Sequence, residues 1–389
     1  MPRELVISAG PGEWRAALAE DGMPVELRVE RGEGAEAGSI HLGRVVRLLP
    51  ALGAVLVDIG WNRPAFLPQS QILPRRRRLD EGERVIVAIR REAQGGKAPQ
   101  LTIPLTPPAA IAEQTSDLAP PARLYPAPSF AAALAGVLPA VEQVLVDEPA
   151  AIPEIRTAFS KAAVRHLPEA EWPFSLDAAF DEALSGRVAL PGGGSIHFEA
   201  TSAAVMIDVD TGTPQSGSPE RTALAANLAA AETIAQHIRR RNLGGGIVID
   251  FVGLDDRGAR EQVRAALARK LAADPLQPQI LGWTRLGHLE LVRRRRTRPL
   301  ADLLLEPAPG GAFVKTAATV AHEALRALRR AARAEPGRPW SLIVAPEIAA
   351  ALIGEAAVTV RGLEQRLGRG IAIVADAGLD RDRFQLEPS

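Results

Sequence analysis

Met206-Ile207-Asp208-Val209-Asp210-Thr211-Gly212 and Gly246-Ile247-Val248-Ile249-Asp250-Phe251 are the two stretches on which the fold turns. In the first, apolar and acidic residues alternate. Side chains along a strand point to opposite faces in turn, so Asp208 and Asp210 share one face while Ile207 and Val209 share the other. The second is a short, almost continuous apolar run, the pattern of a strand buried on both faces, and it ends on a single acid. Between them the sequence predicts a helix from Glu220 to Arg241. Ser218 is its candidate N-cap, Pro219 sits in its first turn and Gly244 lies beyond its end. Leu224, Leu228, Ala231, Ala235 and Ile238 repeat at helical spacing. A second helix over Arg260–Ala272 and strands at Gln279–Trp283 and Leu289–Val292 follow. Alternating strands and helices of this kind define an α/β layer.

Working outward towards the N-terminus, strand signals dominate: Glu4–Ser8, Val25–Val29, Ser39–Leu48, Gly53–Ile59 and Arg84–Arg90, separated by Gly- and Pro-containing turns. Short strands in that number suggest a small barrel, of which the oligonucleotide-binding (OB) barrel is one form; periodicity does not separate it from others. Seven prolines between Pro104 and Pro128 read as a linker. Beyond it the pattern predicts a strand at Gln143–Val146, helices at Ile152–Ala163 and Leu176–Leu184, and a hairpin from Arg187–Leu190 through Pro191-Gly192-Gly193-Gly194 to Ser195–Phe198. Towards the C-terminus the alternation resumes, with helices at Ala317–Ala332 and Pro346–Leu352 and strands at Ser341–Val344 and Ile371–Ala375.

Composition narrows the chemistry. The 389 residues contain no cysteine, which excludes disulfides, thiolate metal sites and cysteine nucleophiles. The six histidines are scattered without metal-ligand spacing, so a metal held here takes oxygen ligands, as magnesium or manganese does. Net charge is zero, and only four of the 46 basic residues are lysine. The arginines cluster at Arg75–Arg78, Arg239–Arg241 and Arg293–Arg296, either as solvated faces or as phosphate contacts, and three clusters in one chain favour the latter. No apolar run reaches the length of a membrane span and no leader pattern opens the chain, so a cytoplasmic location is expected.

The acids carry the functional reading. If the two strands are neighbours, Asp208 and Asp250 meet at their carboxyl ends, where α/β sheets bind ligands. Magnesium binds through one or two carboxylates and keeps several waters, leaving room for a phosphate oxygen. The competing reading makes each aspartate a turn or capping residue.

Three stretches resemble the catalytic core of the ribonuclease E/G family of bacterial endonucleases. The first runs from Leu190-Pro191-Gly192-Gly193-Gly194-Ser195-Ile196 to Ile207-Asp208-Val209-Asp210-Thr211-Gly212. The second comprises Glu220-Arg221-Thr222-Ala223-Leu224, Asn227-Leu228 and Asn242-Leu243-Gly244-Gly245-Gly246-Ile247-Val248-Ile249-Asp250-Phe251. The third is Thr284-Arg285-Leu286-Gly287-His288-Leu289-Glu290-Leu291, then Arg293 and Arg298-Pro299-Leu300. Order and spacing both match. Gly43-Arg44-Val45-Val46, Val57-Asp58-Ile59-Gly60 and Ala65-Phe66-Leu67-Pro68 are similar to the family's S1-type barrel. Val344-Ala345-Pro346-Glu347 and Leu363-Glu364-Gln365-Arg366-Leu367-Gly368 are similar to its small C-terminal domain.

The resemblance implies an α+β multidomain chain. Residues 1–37 form a β segment packing with the middle region, 38–103 an S1-type OB-fold, 104–129 a Pro-rich linker, 130–200 an RNase H-like region, 201–305 a catalytic, DNase I-like α/β domain and 306–389 a small C-terminal domain. It implies a Mg²⁺-dependent endoribonuclease that hydrolyses single-stranded RNA to 5′-phosphate and 3′-hydroxyl ends. Asp208 and Asp250 fall on the family's metal-binding aspartates. Phe66 and Lys97 fall on its barrel positions that contact RNA, and Arg285 and Arg293 are further candidate RNA contacts. Phe66 either stacks on a base or packs into the barrel core; Lys97 is otherwise an ordinary loop lysine.

Three departures from the family pattern stand out. Asp210 occupies a position where the family carries asparagine; an ionised carboxylate cannot donate a hydrogen bond to phosphate. Asp210 therefore either joins the catalytic metal site or weakens it. The family's cysteine zinc link, expected near Glu306-Pro307-Ala308-Pro309-Gly310-Gly311, has no cysteine here, so no zinc and no zinc-linked tetramer are expected, and the chain is a monomer or homodimer. The stretch after Leu101-Thr102 is short, and the family's pocket for an RNA 5′-monophosphate is expected to be absent. The alternative to an active nuclease is an inactive RNA-binding paralogue with the same fold.

Overall fold

The computed structural model describes all residues except 1, 11, 32–36, 73–77, 94–97, 104–116, 213–218, 310 and 389. Its internal contacts divide the chain into two units, one of residues 32–137 and one of residues 1–31 with 138–389.

In the smaller unit, strands Ala54–Asp58, Ala65–Pro68, Gln100–Thr102, Arg84–Arg91 and Ile40–Leu49 pair in that order, and the last pairs back to the first. The result is a closed five-stranded barrel, consistent with an OB-fold. Closure depends on Ile40–Leu49, whose first half pairs with Arg84–Arg91 and second half with Ala54–Asp58. A bulge between Val45 and Arg47 bends it between the two partners. Gly43 lies where those strands cross most closely: a Cβ there would meet Val57 Cγ1 at 2.5 Å and the Asp58 carbonyl at 2.9 Å. Alternation fills the interior, with Val45, Val57, Leu67, Val87, Ile89 and Leu101 all buried. The segment expected to be linker needs correction in part. Ala122–Tyr125 is a strand pairing with Ile40–Leu42, so a sixth strand joins the barrel sheet. Prolines flank it without interrupting its pairing.

The larger unit contains three main sheets. Residues 3–30 and 143–166 together form a five-stranded sheet ordered Ala163–His166, Gln143–Val146, Arg3–Ala9, Trp14–Glu20, Met23–Glu30, parallel on one side and antiparallel on the other. The helix expected over Ile152–Ala163 stops at Ala158. Phe159 leaves helical geometry and is buried, and Ala163 opens a strand instead. A three-stranded sheet centred on Trp340–Val344 carries helices Ala317–Ala334, Pro346–Ile353 and Ala357–Leu367. Its antiparallel edge, Phe384–Pro388, lay outside the sequence reading.

The third sheet positions the site. Its order is Arg187–Ala189, Ser195–Ala200, Ala204–Asp210, Gly245–Asp250, Leu289–Arg293, Gln279–Trp283, and only the central Ala204–Asp210/Gly245–Asp250 pair is parallel. Helices Pro219–Arg240 and Arg257–Leu271 cover one face; Ile207, Val209, Ile247, Ile249, Leu289 and Leu291 pack there against Ala230, Ile234, Ile238, Val263 and Leu267. The opposite face is open. Gly245–Asp250, which its apolar run suggested was buried on both faces, is buried on one: Gly246 and Asp250 are exposed and Val248 half-buried. Val248 lies between Met206 and Glu290 on the open face, where no further layer covers it completely.

Candidate active site

The parallel register sets Asp208 directly opposite Asp250. Burial alternates along Ala204–Asp210, with Val205, Ile207 and Val209 inside and Met206, Asp208 and Asp210 exposed, so the open face carries the acids. His197 lies opposite Asp208 on the other neighbouring strand. On the far side, His288 Nε2 stands 3.6 Å from Asp250 Oδ2, within ion-pair range but beyond a good hydrogen bond. His197, Asp208, Asp250 and His288, the last immediately before strand Leu289–Arg293, thus form a transverse row across the sheet.

Asp210 lies one step further along, opposite Ser195, and its Oδ1 accepts a 2.9 Å hydrogen bond from the Gly212 amide. The Gly192–Gly194 turn comes close to this strand end. Gly194 has φ +86°, and a Cβ on it would lie 2.2 Å from the Asp210 carbonyl oxygen, so only glycine fits.

The helices hold these strand ends from below. Asn227, fully buried on Pro219–Arg240, donates from Nδ2 to the Val252 carbonyl (2.7 Å) and accepts from the Val252 amide at Oδ1 (3.1 Å). This two-bond clamp fixes the chain two residues beyond Asp250. The signal was a polar residue on an otherwise apolar helix face, between Leu224 and Ala231. Asn242, at φ +55°, donates to the Thr297 and Arg298 carbonyls and ties the base of the same sheet to the chain that follows it.

The acids can hold a small hard cation. Among the described residues no three His, Asp or Glu side chains gather around one point. Asp208 and Asp250 provide two carboxylates on an open surface, and no arginine pairs with them among the described residues. Two carboxylates with room for water suit magnesium, which keeps several waters when bound. Two exposed acids side by side repel each other unless a cation lies between them.

The four candidate RNA contacts differ in their placement. Phe66 is half-buried, on the face of its strand opposite the buried Ala65 and Leu67. Lys97 lies outside the described residues, as do Arg75–Arg77 and Ser218. Arg285 is exposed in the Thr284–His288 turn beside the acid row. Arg293 requires correction. It is buried, with Nε 2.7 Å from Asp274 Oδ2 and Nη1 donating to Asn242 Oδ1 and the Leu243 carbonyl, so nothing of it is left for RNA. Arg239–Arg241 are likewise buried: Arg239 pairs with Glu20 and Glu26, Arg240 with Glu182, and Arg241 stacks on Phe198. Arg294–Arg296 do remain exposed.

The sequence model of the ribonuclease E/G family matches residues 83–296, more than half of the chain and the whole of the acid-bearing sheet. The chain belongs to the ribonuclease E/G family. Ribonuclease G of Escherichia coli K12 is similar to it over almost the full length of both proteins, at 24% identity and 99% coverage of each. That alignment spans 486 positions, so the relative has segments this chain lacks. Ribonuclease E of Synechocystis is 27% identical over 79% of this chain and 59% of its own length. Ribonuclease E of Nostoc is 40% identical over a shorter stretch, 36% of this chain. No helix among the described residues is long and apolar enough to cross a membrane.

Proposed function

We propose that this chain is a metal-dependent endoribonuclease that cuts single-stranded RNA to 5′-phosphate and 3′-hydroxyl ends, in RNA processing or decay. The observation that carries this reading is the in-register Asp208–Asp250 pair on the open face of the sheet, without a neutralising arginine among the described residues. Family membership and full-length similarity to ribonuclease G support it independently.

Asp208 and Asp250 would hold Mg²⁺, or Mn²⁺ in its place, which when bound supplies electrophilic polarisation of the scissile phosphoryl group and a nucleophilic water at neutral pH. The rest is positioning by the chain. The Asn227 clamp on Val252 and the register with Ala204–Asp210 fix the two carboxylates before RNA arrives, so no ordering cost falls on the bound state. Arg285, exposed beside the row, is available to a backbone phosphate. Phe66, on the face of its strand opposite the buried Ala65 and Leu67, offers a ring on which a base of any identity stacks, worth about 1–3 kcal/mol. In this reading residues 38–103 are the S1-type RNA-binding module, 130–200 the RNase H-like region, 201–305 the DNase I-like catalytic region and 306–389 the small C-terminal domain. The protein works as a monomer or homodimer in the cytoplasm without a zinc link.

The decisive assay follows a 5′-labelled, AU-rich single-stranded RNA in Mg²⁺, comparing wild type with Asp208→Asn. Internal cleavage by wild type alone, stopped by EDTA, is the expected result. Retention of RNA on a filter without cleavage by either protein would replace the enzyme with an RNA-binding paralogue.

A further inference from the structure

The loop that leaves the catalytic strand, Phe251 to Asp256, and the first turns of the helix it enters form one side of a cleft of about 640 Å³. Asp255, Arg257, Arg260 and Glu261 line it from that side, and Trp283 from the other. This cleft is separate from the acid row but close to it. Trp283 pairs with Leu289, which pairs with Ile249, the residue before Asp250. Two strand spacings, about 10 Å, separate the Trp283 backbone from the catalytic strand, and Trp283 shares the helix-covered face of Ile249 and Leu289, around the strand end from the acids.

We propose that this cleft is a nucleobase subsite, receiving one unstacked base of the RNA strand at a fixed distance from the scissile phosphate, around the strand end from the acid row. The inference rests on the nuclease reading for the identity of the strand. Its local chemistry has three parts. Trp283 packs one side of its indole on Phe251, with ring centroids 6.0 Å apart, which fixes the ring. The Arg260 guanidinium lies 5.6 Å from the Trp283 ring centroid, and its Nε is anchored on the Leu254 carbonyl. The guanidinium lies over the indole and presents a cationic outer face of the kind on which unpaired bases stack. The indole Nε1 is buried without a hydrogen-bond partner among the described residues, a donor that the protein leaves unsatisfied.

The rim gives this face a preference. Asp255 is exposed with no partner among the described residues, whereas Glu261 is engaged by Arg264 at 2.8 and 2.6 Å. A free carboxylate repels a phosphate but accepts from an exocyclic amino group. Adenine, cytosine and guanine each carry one; uracil does not. Arg257 on the same rim is exposed and available to the neighbouring backbone phosphate, while Asp255 favours amino-bearing bases over uracil.

The test is an abasic walk. A set of single-stranded RNAs, each with one abasic nucleotide at a different distance from a defined cleavage site, is compared for kcat/KM with wild type, Arg260→Gln, Trp283→Leu and Asp255→Asn. The proposal expects one position at which base removal lowers wild-type kcat/KM about tenfold, the loss of one stacked base. At that position the penalty shrinks in Arg260→Gln and Trp283→Leu, and uracil there behaves no worse than cytosine in Asp255→Asn. Arg260→Gln and Asp255→Asn lie at the surface and keep the readout usable if Trp283→Leu unfolds. Uniform penalties that none of the variants changes would overturn the subsite while leaving the nuclease intact. If wild type does not cut RNA at all, the nuclease reading fails first. The same walk by fluorescence anisotropy of labelled RNA then decides the subsite: a position-specific affinity loss absent in Arg260→Gln upholds it, and its absence removes it.

Discussion

The larger unit contains two carboxylate pairs near the ends of parallel strands, and they have opposite surroundings. Asp208 and Asp250 are exposed, with His197 and His288 beside them among the described residues. Asp147, directly after strand Gln143–Val146, and Glu169 are packed inside arginines from helix Ala317–Ala334. Arg329 Nη2 pairs with Asp147 and lies 3.3 Å from Glu169 Oε1, Arg330 reaches Glu169 Oε2 at 2.7 Å, and Ser8 Oγ donates to Asp147 at 2.8 Å. Burial pushes the Asp147 carboxyl up, but Arg329 and the hydrogen bonds from Glu169, Ala9 and Ser8 hold it below the usual range. Glu169 is driven the other way by burial and by Asp147 beside it. A rule that nominates strand-end acids would choose both pairs. The guanidinium distinguishes them: where it is built in, the acids are cement between sheet and helix, and where none pairs with them among the described residues, they stand exposed.

Charge removal separates the two most sharply. Asp208→Asn and Asp250→Asn should abolish RNA cleavage, with filter-bound RNA retained and stability within about 0.5 kcal/mol of wild type, as for exposed sites. Cleavage that survives in both variants would return the pair to ordinary surface acids. Asp147→Asn or Arg329→Gln should instead cost about 3–5 kcal/mol in denaturant unfolding, because each breaks a buried ion-pair network at its closest contact. Cleavage per folded molecule should be unchanged. If those variants unfold at the wild-type denaturant concentration, the cement interpretation is wrong.

The sequence revealed one side of this comparison far better than the other. Strands Ala204–Asp210 and Gly245–Asp250 were visible because alternation and apolar runs are local patterns. Their in-register pairing was not, since it depends on a helix of more than twenty residues returning the chain to the same level. Trp14–Glu20 escaped notice because Ala-rich Trp-Arg-Ala-Ala-Leu-Ala-Glu has little strand propensity, and it is a strand because its neighbours on both sides pair with it. Arg239–Arg241 and Arg293 looked like phosphate contacts. Their real partners, Glu20, Glu26, Glu182 and Asp274, are set by tertiary packing. Among the described residues, arginine runs serve both the interior and the surface, and burial distinguishes the two uses.

Acid should find the buried region before the exposed row. His322, in the same helix as Arg329, is buried among Glu13, Arg31, Arg326 and Arg15; burial carries its pKa down to about 4, against the pull of Glu13. The unfolded chain takes up a proton near the ordinary value of 6.5 that the folded chain refuses until about pH 4. Stability is therefore complete above pH 6.5 and is lost as pH falls towards 4. At pH 5.5 the loss should be about 1 kcal/mol. Glu13, which burial raises but Arg15, Arg326 and Arg31 together bring far below the carboxylate range, adds its own loss only below about pH 4.5. Guanidinium unfolding at pH 7.0 and 5.5 should show the drop in wild type and a smaller one in His322→Gln. Equal stability at the two pH values in wild type would rule it out.

Asp210 offers the finest distinction, because it lies on the exposed side yet already has a partner of its own. Its Oδ1 is tied to the Gly212 amide at the strand end. A carboxylate held that way adds negative charge near an incoming phosphate and donates nothing to it. Asp210→Asn keeps the shape, retains an oxygen for Gly212 and gains an amide donor. One added hydrogen bond to a phosphate oxygen is worth about 0.5–1.5 kcal/mol, so kcat/KM should rise about two- to tenfold. A fall comparable to that of Asp208→Asn would mean that Asp210 swings from Gly212 to become a third ligand when metal and RNA are bound. In that case the exposed region is built around three acids, and its contrast with the arginine-filled pair becomes larger still.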